Sequence, residues 1–107
     1  MAVKAIVLDG FGGPEVLKPG DVEAPKVGPG RILIRVPATS VIRPDAVQRQ
    51  GHYPPPPGES TILGLEAAGT VDSIGAGVAD FSPGDRVFAL LGGGGYAELA
   101  LAHAGDV

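Results

Sequence analysis

The sequence predicts a mainly β domain of the small-barrel or sandwich type, carrying one short helix. Three observations predict it. Arg31 to Val36 alternates cleanly, with Ile32, Ile34 and Val36 on one face and Arg31, Leu33 and Arg35 on the other, the pattern of a half-buried antiparallel strand. Other short apolar runs recur at intervals of roughly 8 to 12 residues, separated by turn residues. The 18 glycines and 11 prolines among 107 residues punctuate these runs without forming a repeat, which suits a turn-rich β domain better than a low-complexity chain.

In chain order, Val3 to Leu8 reads as the first strand and Asp9 to Pro14 as a turn. Glu15 to Lys18 is expected to pair back as a second strand, broken at Pro19-Gly20 and resuming from Asp21 to Ala24. Pro25 to Gly30 is a loop before the alternating strand. Pro44 suits a first helical turn and Gly51 a C-terminal stop, so a helix is expected from Pro44 to Gln50. Pro54 to Pro57 forms a stiff surface spacer. Ile62 to Ile74 is the central strand region, bent at Gly64 and Gly69 and turned by Gly75-Ala76-Gly77. Phe81 is expected to plug one end of the core. Ser82-Pro83-Gly84-Asp85 fits a type II turn, with Pro presetting φ and Gly accepting positive φ. Arg86 to Leu91 follows as a strand, Gly92 to Gly95 as a flexible run, and Tyr96 to Leu101 as another alternating strand.

Composition narrows the function classes. An apolar fraction of 44% and this length are enough for one modest core. The net charge of −4, with scattered basic residues, argues against a nucleic-acid surface. With no cysteine there is neither a disulfide framework nor a thiolate metal site. No apolar run reaches the roughly 20 residues of a membrane span, and the N-terminus lacks the pattern of a signal peptide. A soluble cytoplasmic protein is expected.

The run Gly64-Leu65-Glu66-Ala67-Ala68-Gly69-Thr70-Val71, followed by Gly84-Asp85-Arg86-Val87, resembles the medium-chain dehydrogenase/reductase superfamily. It looks like the GroES-like substrate domain that precedes the Rossmann domain in those enzymes. Within the superfamily the chain is most similar to the zinc-independent NADPH:quinone oxidoreductases. Lys4 to Leu8, Phe11 to Leu17 and Gln48 to Gly58 support this. The resemblance implies a partly open GroES-like β-barrel over residues 1–107, with the Rossmann cofactor domain absent from these residues.

It also assigns candidate residues. Zinc-binding members carry His at the position of Leu65 and Cys at that of Ile42; neither residue here can ligate a metal, so no zinc is expected. For His52 and His103 no further ligands are spaced nearby. The zinc-free members carry Asn at the position of Ile42, where an amide could donate to the carbonyl oxygen being reduced. Isoleucine cannot. Tyr53 matches a tyrosine lining the family's substrate cleft. Ile42, Tyr53 and Leu65 are therefore the substrate-lining candidates. Glu66, Gly69, Gly84, Asp85 and Arg86 are read as structural, with Glu66 a paired carboxylate at the strand bend, against Arg86 or backbone N–H groups. Arg43 and Arg49 could meet cofactor phosphates but read more simply as a solvated helix face. Gly92 to Gly95 lacks the spacing of a nucleotide-binding loop.

Two readings compete. In the first, the chain is the substrate domain of an NADPH-dependent quinone oxidoreductase, meeting a small quinone only when joined to a Rossmann domain and not expected to bind NADPH alone. In the second, it is a non-catalytic, truncated or engineered β-barrel module with a structural or assembly role. Apolar barrel surface left open would then favour homo-oligomers. A peptide-binding SH3-like barrel has little support, because Phe11, Tyr53, Phe81, Phe88 and Tyr96 are widely spaced.

Overall fold

The computed structural model describes all 107 residues. It contains six strands and one α-helix: β1 (Ala2–Leu8), β2 (Leu17–Glu23), β3 (Arg31–Thr39), α1 (Arg43–Arg49), β4 (Glu66–Ile74), β5 (Arg86–Leu90) and β6 (Leu99–His103), with single 3₁₀ turns at Pro14–Val16 and Ala104–Asp106. β1 and β2 form an antiparallel hairpin, and the other four strands make one antiparallel sheet in the order β5-β4-β3-β6. The two sheets touch edge to edge. Ala5 bridges Ala97, and the Ile6 and Glu98 amides donate to Tyr96 and Lys4 at 2.8 and 3.0 Å. They do not close, so the barrel is partly open, as the resemblance implies. No helix is long and apolar enough to cross a membrane.

Alternation puts the core on both faces of the large sheet. On one face Ile32 and Ile34, both fully buried, pack with Ala67, Val71, Ala89, Ala100 and Ala102, and Phe81 seals the margin. On the other, Leu33 and Leu99 meet Val3, with Val22 and Ala24 of the hairpin around them. The half-buried strand expected at Arg31–Val36 is thus covered on its second face too, because the β1–β2 hairpin folds over Leu33. Tyr96–Leu101 departs further: only Leu99–His103 is regular strand, with Leu99 and Ala100 both buried on opposite faces.

Other boundaries differ from expectation for local reasons. Pro14–Val16 is a 3₁₀ turn rather than the start of a strand, and β2 then runs unbroken through Pro19 and Gly20. Its outer edge is free, so the missing Pro19 N–H leaves no ladder bond unmade. β4 begins at Glu66, not Ile62, because Leu63 and Gly64 instead accept hydrogen bonds from Tyr96 and Gly95. α1 starts and ends one residue earlier than expected, with Pro44 inside its first turn. The Pro54–Pro57 stretch is irregular and mostly exposed.

The turn at Ser82–Asp85 forms as expected: Gly84 has φ +93°, and the Asp85 amide donates to Ser82 O at 3.1 Å. Asp85 also accepts the Ser82 N–H at 2.9 Å, while Gly84 and Asp85 exchange bonds with Val71 that dock the turn on β4. Gly69 sits opposite the register shift between Arg35 and Ala38. A Cβ there would lie 1.8 Å from the Arg35 carbonyl oxygen, so only glycine lets β4 pass the bulge in β3.

Candidate functional site

Three segments meet where β3 runs into α1. The Thr39 hydroxyl donates to the Glu66 carbonyl at 2.7 Å, and the Ser40 hydroxyl donates to the Glu66 carboxylate at 2.6 Å. Glu66 is therefore paired, but with Ser40: Arg86 is exposed on the outward side of β5 and forms no ion pair. The bend that Glu66 was expected to hold is the junction of β4 with the β3–α1 connection.

The glycine run supplies the third segment. Gly94 and Gly95 donate to Ile62 and Gly64 at 2.7 and 3.0 Å, and Leu91 to Leu65 at 2.7 Å. Gly93, Gly94 and Gly95 are buried, and a Cβ on Gly93 would lie 2.6 Å from the Ser60 carbonyl oxygen. The run is a packed strap, not the flexible connection read from the sequence. Its Gly94 and Gly95 amides are committed and cannot cradle a phosphate.

Ile42 is the N-cap residue of α1, half-buried, and its side chain offers no cap. Its amide donates to Asp45 Oδ2 at 3.1 Å, and the same oxygen accepts the Tyr96 hydroxyl at 2.8 Å. Asp45 is 2% exposed. Burial first, then the hydrogen bond to Asp45 and its charge, push the Tyr96 phenol well above its usual range; Arg49 opposes this more weakly. Asp45 Oδ1 and Gln48 Oε1, one turn on, are buried without partners. Sequence reading missed this cluster. Its one visible signal is an acidic residue three positions after the N-cap residue.

Arg49 does more than decorate a solvated face. Its Nε donates to the Gly12 carbonyl at 3.0 Å, and its own carbonyl accepts the Gly12 N–H at 3.0 Å. Arg43 is exposed. His52 is exposed, and His103 Nε2 lies 3.1 Å from Glu59 Oε1.

Of the sequence candidates, Ile42 and Leu65 lie on segments joined through Ser40 and Glu66. Tyr53 stands apart on the loop after α1, 43% exposed. The Thr39, Ser40 and Tyr96 hydroxyls at this junction are committed, and the Tyr53 hydroxyl, away from it, makes no hydrogen bond. Two grooves border the junction. One, of about 790 Å³, lies between the hairpin and the end of β3 and includes Ile6, Leu17, Pro37, Val41 and Tyr96. The other, of about 700 Å³, runs past Ser40, Glu66, Phe88, Leu90 and Val107. Ile42, Tyr53 and Leu65 line neither. No three His, Asp or Glu side chains gather closely enough to hold a metal.

Comparison with known proteins places these features. The family described as the alcohol dehydrogenase GroES-like domain matches residues 28–107. A quinone oxidoreductase of Lama guanicoe is 42% identical over 102 residues, covering 94% of this chain and 31% of that protein. Among solved structures, a human synaptic vesicle membrane protein VAT-1 homolog-like protein superposes with a TM-score of 0.90 at 31% identity, covering 99% of this chain and 34% of the other. A mycobacterial protein complexed with NADPH gives 0.85 at 36% identity, covering 97% of this chain and 33% of the other. The chain thus spans about a third of the length of the relatives it matches.

Proposed function

The chain belongs to the alcohol dehydrogenase GroES-like domain family, and on that premise we propose that it is the substrate half of a zinc-independent, NADPH-dependent quinone oxidoreductase. Its substrate class is small quinones or related enones, and its setting is the cytoplasm. The observation that carries the reading is the junction of residues 39–42 with residues 63–66. Ile42 and Leu65, which by resemblance stand where zinc-binding members have Cys and His, are apolar and lie on segments whose Thr39 and Ser40 hydroxyls are committed to Glu66. Such a wall can position a planar substrate but supplies no metal ligand and no proton.

These residues do not fit a dinucleotide by themselves. The glycine strap spends its Gly94 and Gly95 amides on the Ile62–Gly64 segment, and α1 spans only seven residues. The cofactor half has to come from a Rossmann domain outside residues 1–107. When bound there, NADPH supplies the hydride. What this chain contributes is shape, exclusion of water, and the free Tyr53 hydroxyl, whose ring can stack on a quinone while the oxygen reaches a carbonyl.

Titration of NADPH into the purified 107-residue chain tests the division of labour. No saturable binding is expected up to millimolar cofactor. Saturation at micromolar concentrations would overturn it. The competing role, a non-catalytic binding or assembly module, draws on one observation: Phe88 and Leu90 expose 81% and 62% of their surfaces on the outer face of β5.

A further inference from the structure

We propose that Asp45 is the positioning residue of this site, fixing the residue-42 end of α1 against the glycine strap through one shared carboxylate oxygen. The inference rests on the reading above, in which residue 42 borders the substrate. Asp45 is among the most deeply buried large side chains, with Ile32, Ile34 and Leu63. A carboxylate in that setting carries a desolvation cost that an aliphatic side chain would avoid. A helix of seven residues needs no carboxylate merely to fill space.

The hydrogen bonds indicate what the carboxylate does instead. Oδ2 accepts from two donors that belong to different parts of the chain: the Ile42 amide at 3.1 Å and the Tyr96 hydroxyl at 2.8 Å. Tyr96 is itself held, because its amide donates to the Leu63 carbonyl at 2.9 Å and its carbonyl accepts from Ile6 at 2.8 Å. The carboxylate therefore transmits the position of a strapped segment to the backbone of Ile42. Ile42 has extended φ and ψ of −124° and 165° and no capping group of its own. Its N–H is the handle by which its orientation is set. In a family member with an amide at that position, the same tie would aim the amide. Here it aims an apolar wall.

The test uses the 107-residue chain and reads Ile42 directly by amide exchange and isoleucine-methyl NMR. In the unmodified chain the Ile42 amide should be protected from exchange; an unprotected amide overturns the proposal without any variant. Tyr96→Phe should shift the Ile42 amide and δ-methyl signals while leaving those of Ile32 and Ile34 in place. Asp45→Leu should raise Ile42 amide exchange at least about tenfold, as expected for losing a charged acceptor. Asp45→Asn, which keeps an oxygen acceptor, should restore part of the protection. A lower Tm with Ile42 signals unmoved is what a purely structural role would give, and it would sink the idea. Should Asp45→Leu fail to fold, Tyr96→Phe and the unmodified chain decide. None of these readouts involves NADPH or quinone, so this proposal and the functional reading can fail separately.

Discussion

Gly69 is where a single atom decides whether β3 and β4 can pair. A methyl group there would overlap the Arg35 carbonyl oxygen at 1.8 Å, and a backbone oxygen cannot swing aside as a side chain can. Gly69→Ala should lower unfolding free energy by about 3 kcal/mol or more, at the upper end of overpacking costs, as read from urea melts. Gly105→Ala, with nothing within 4 Å, should change stability by less than about 1 kcal/mol. Equal effects would mean that the bulge does not constrain the strand. Tyr96 gives a pH prediction at the same scale. Its folded phenol holds its proton more tightly than the unfolded one, so this contribution to stability is fully present below the unfolded pKa of about 10. It is lost as pH rises from there through the higher folded value. In a Tyr53→Phe background the remaining phenol should ionise only together with loss of the β-sheet circular dichroism signal. Phenolate absorbance near pH 10 from an intact fold would contradict the buried bond to Asp45.

Elements defined by period and punctuation are legible in the sequence itself. The strand from Arg31, the turn at Pro83-Gly84 and the helix between Pro44 and Gly51 depend on local chemistry. The turn and helix lie within a residue of their expected places, and the strand starts where expected but runs three residues further, to Thr39. What escapes a sequence reading is set by partners distant along the chain. The second buried face of β3 needs the hairpin from residues 2–23, and the glycine run becomes a strap only because Ile62 and Gly64 accept its amides. The Glu66 carboxylate pairs with Ser40, 26 residues away, where charge alone favours an arginine. The Asp45–Tyr96 bond spans 51 positions and leaves only a faint local trace. β5 carries its own prediction, because it is an edge strand whose outward face presents Phe88 and Leu90, the arrangement natural proteins cover or charge. The 107-residue chain should self-associate through this face at high concentration, and Phe88→Lys should make it monomeric in sedimentation experiments. A chain that stays monomeric at millimolar concentration would remove the case for this face as a contact surface.

At the scale of the molecule, the open barrel, the apolar junction and the committed amides bear on one question: how much of an oxidoreductase 107 residues can be. Hydride transfer depends on holding donor and acceptor within reach, which can account for several orders of magnitude in rate. One lost carbonyl-polarising donor typically costs about 10²- to 10³-fold. The two deficits differ in kind. On the proposed reading, Ile42 stands where a substitution could introduce a donor, whereas the Gly94 and Gly95 amides are already spent on the fold. The chain on its own should therefore reduce a simple benzoquinone with NADPH no faster than buffer, and Ile42→Asn should not rescue it. Joined to a Rossmann domain from a quinone-reducing relative, the unmodified chain should turn over slowly, and Ile42→Asn should raise kcat by about tenfold or more with a smaller change in KM. That order of effects separates positioning from polarisation, since the substitution matters only once the cofactor is in place. Turnover by the 107 residues alone, above the non-enzymatic background, would mean that the chain holds a cofactor by some route other than its glycine strap.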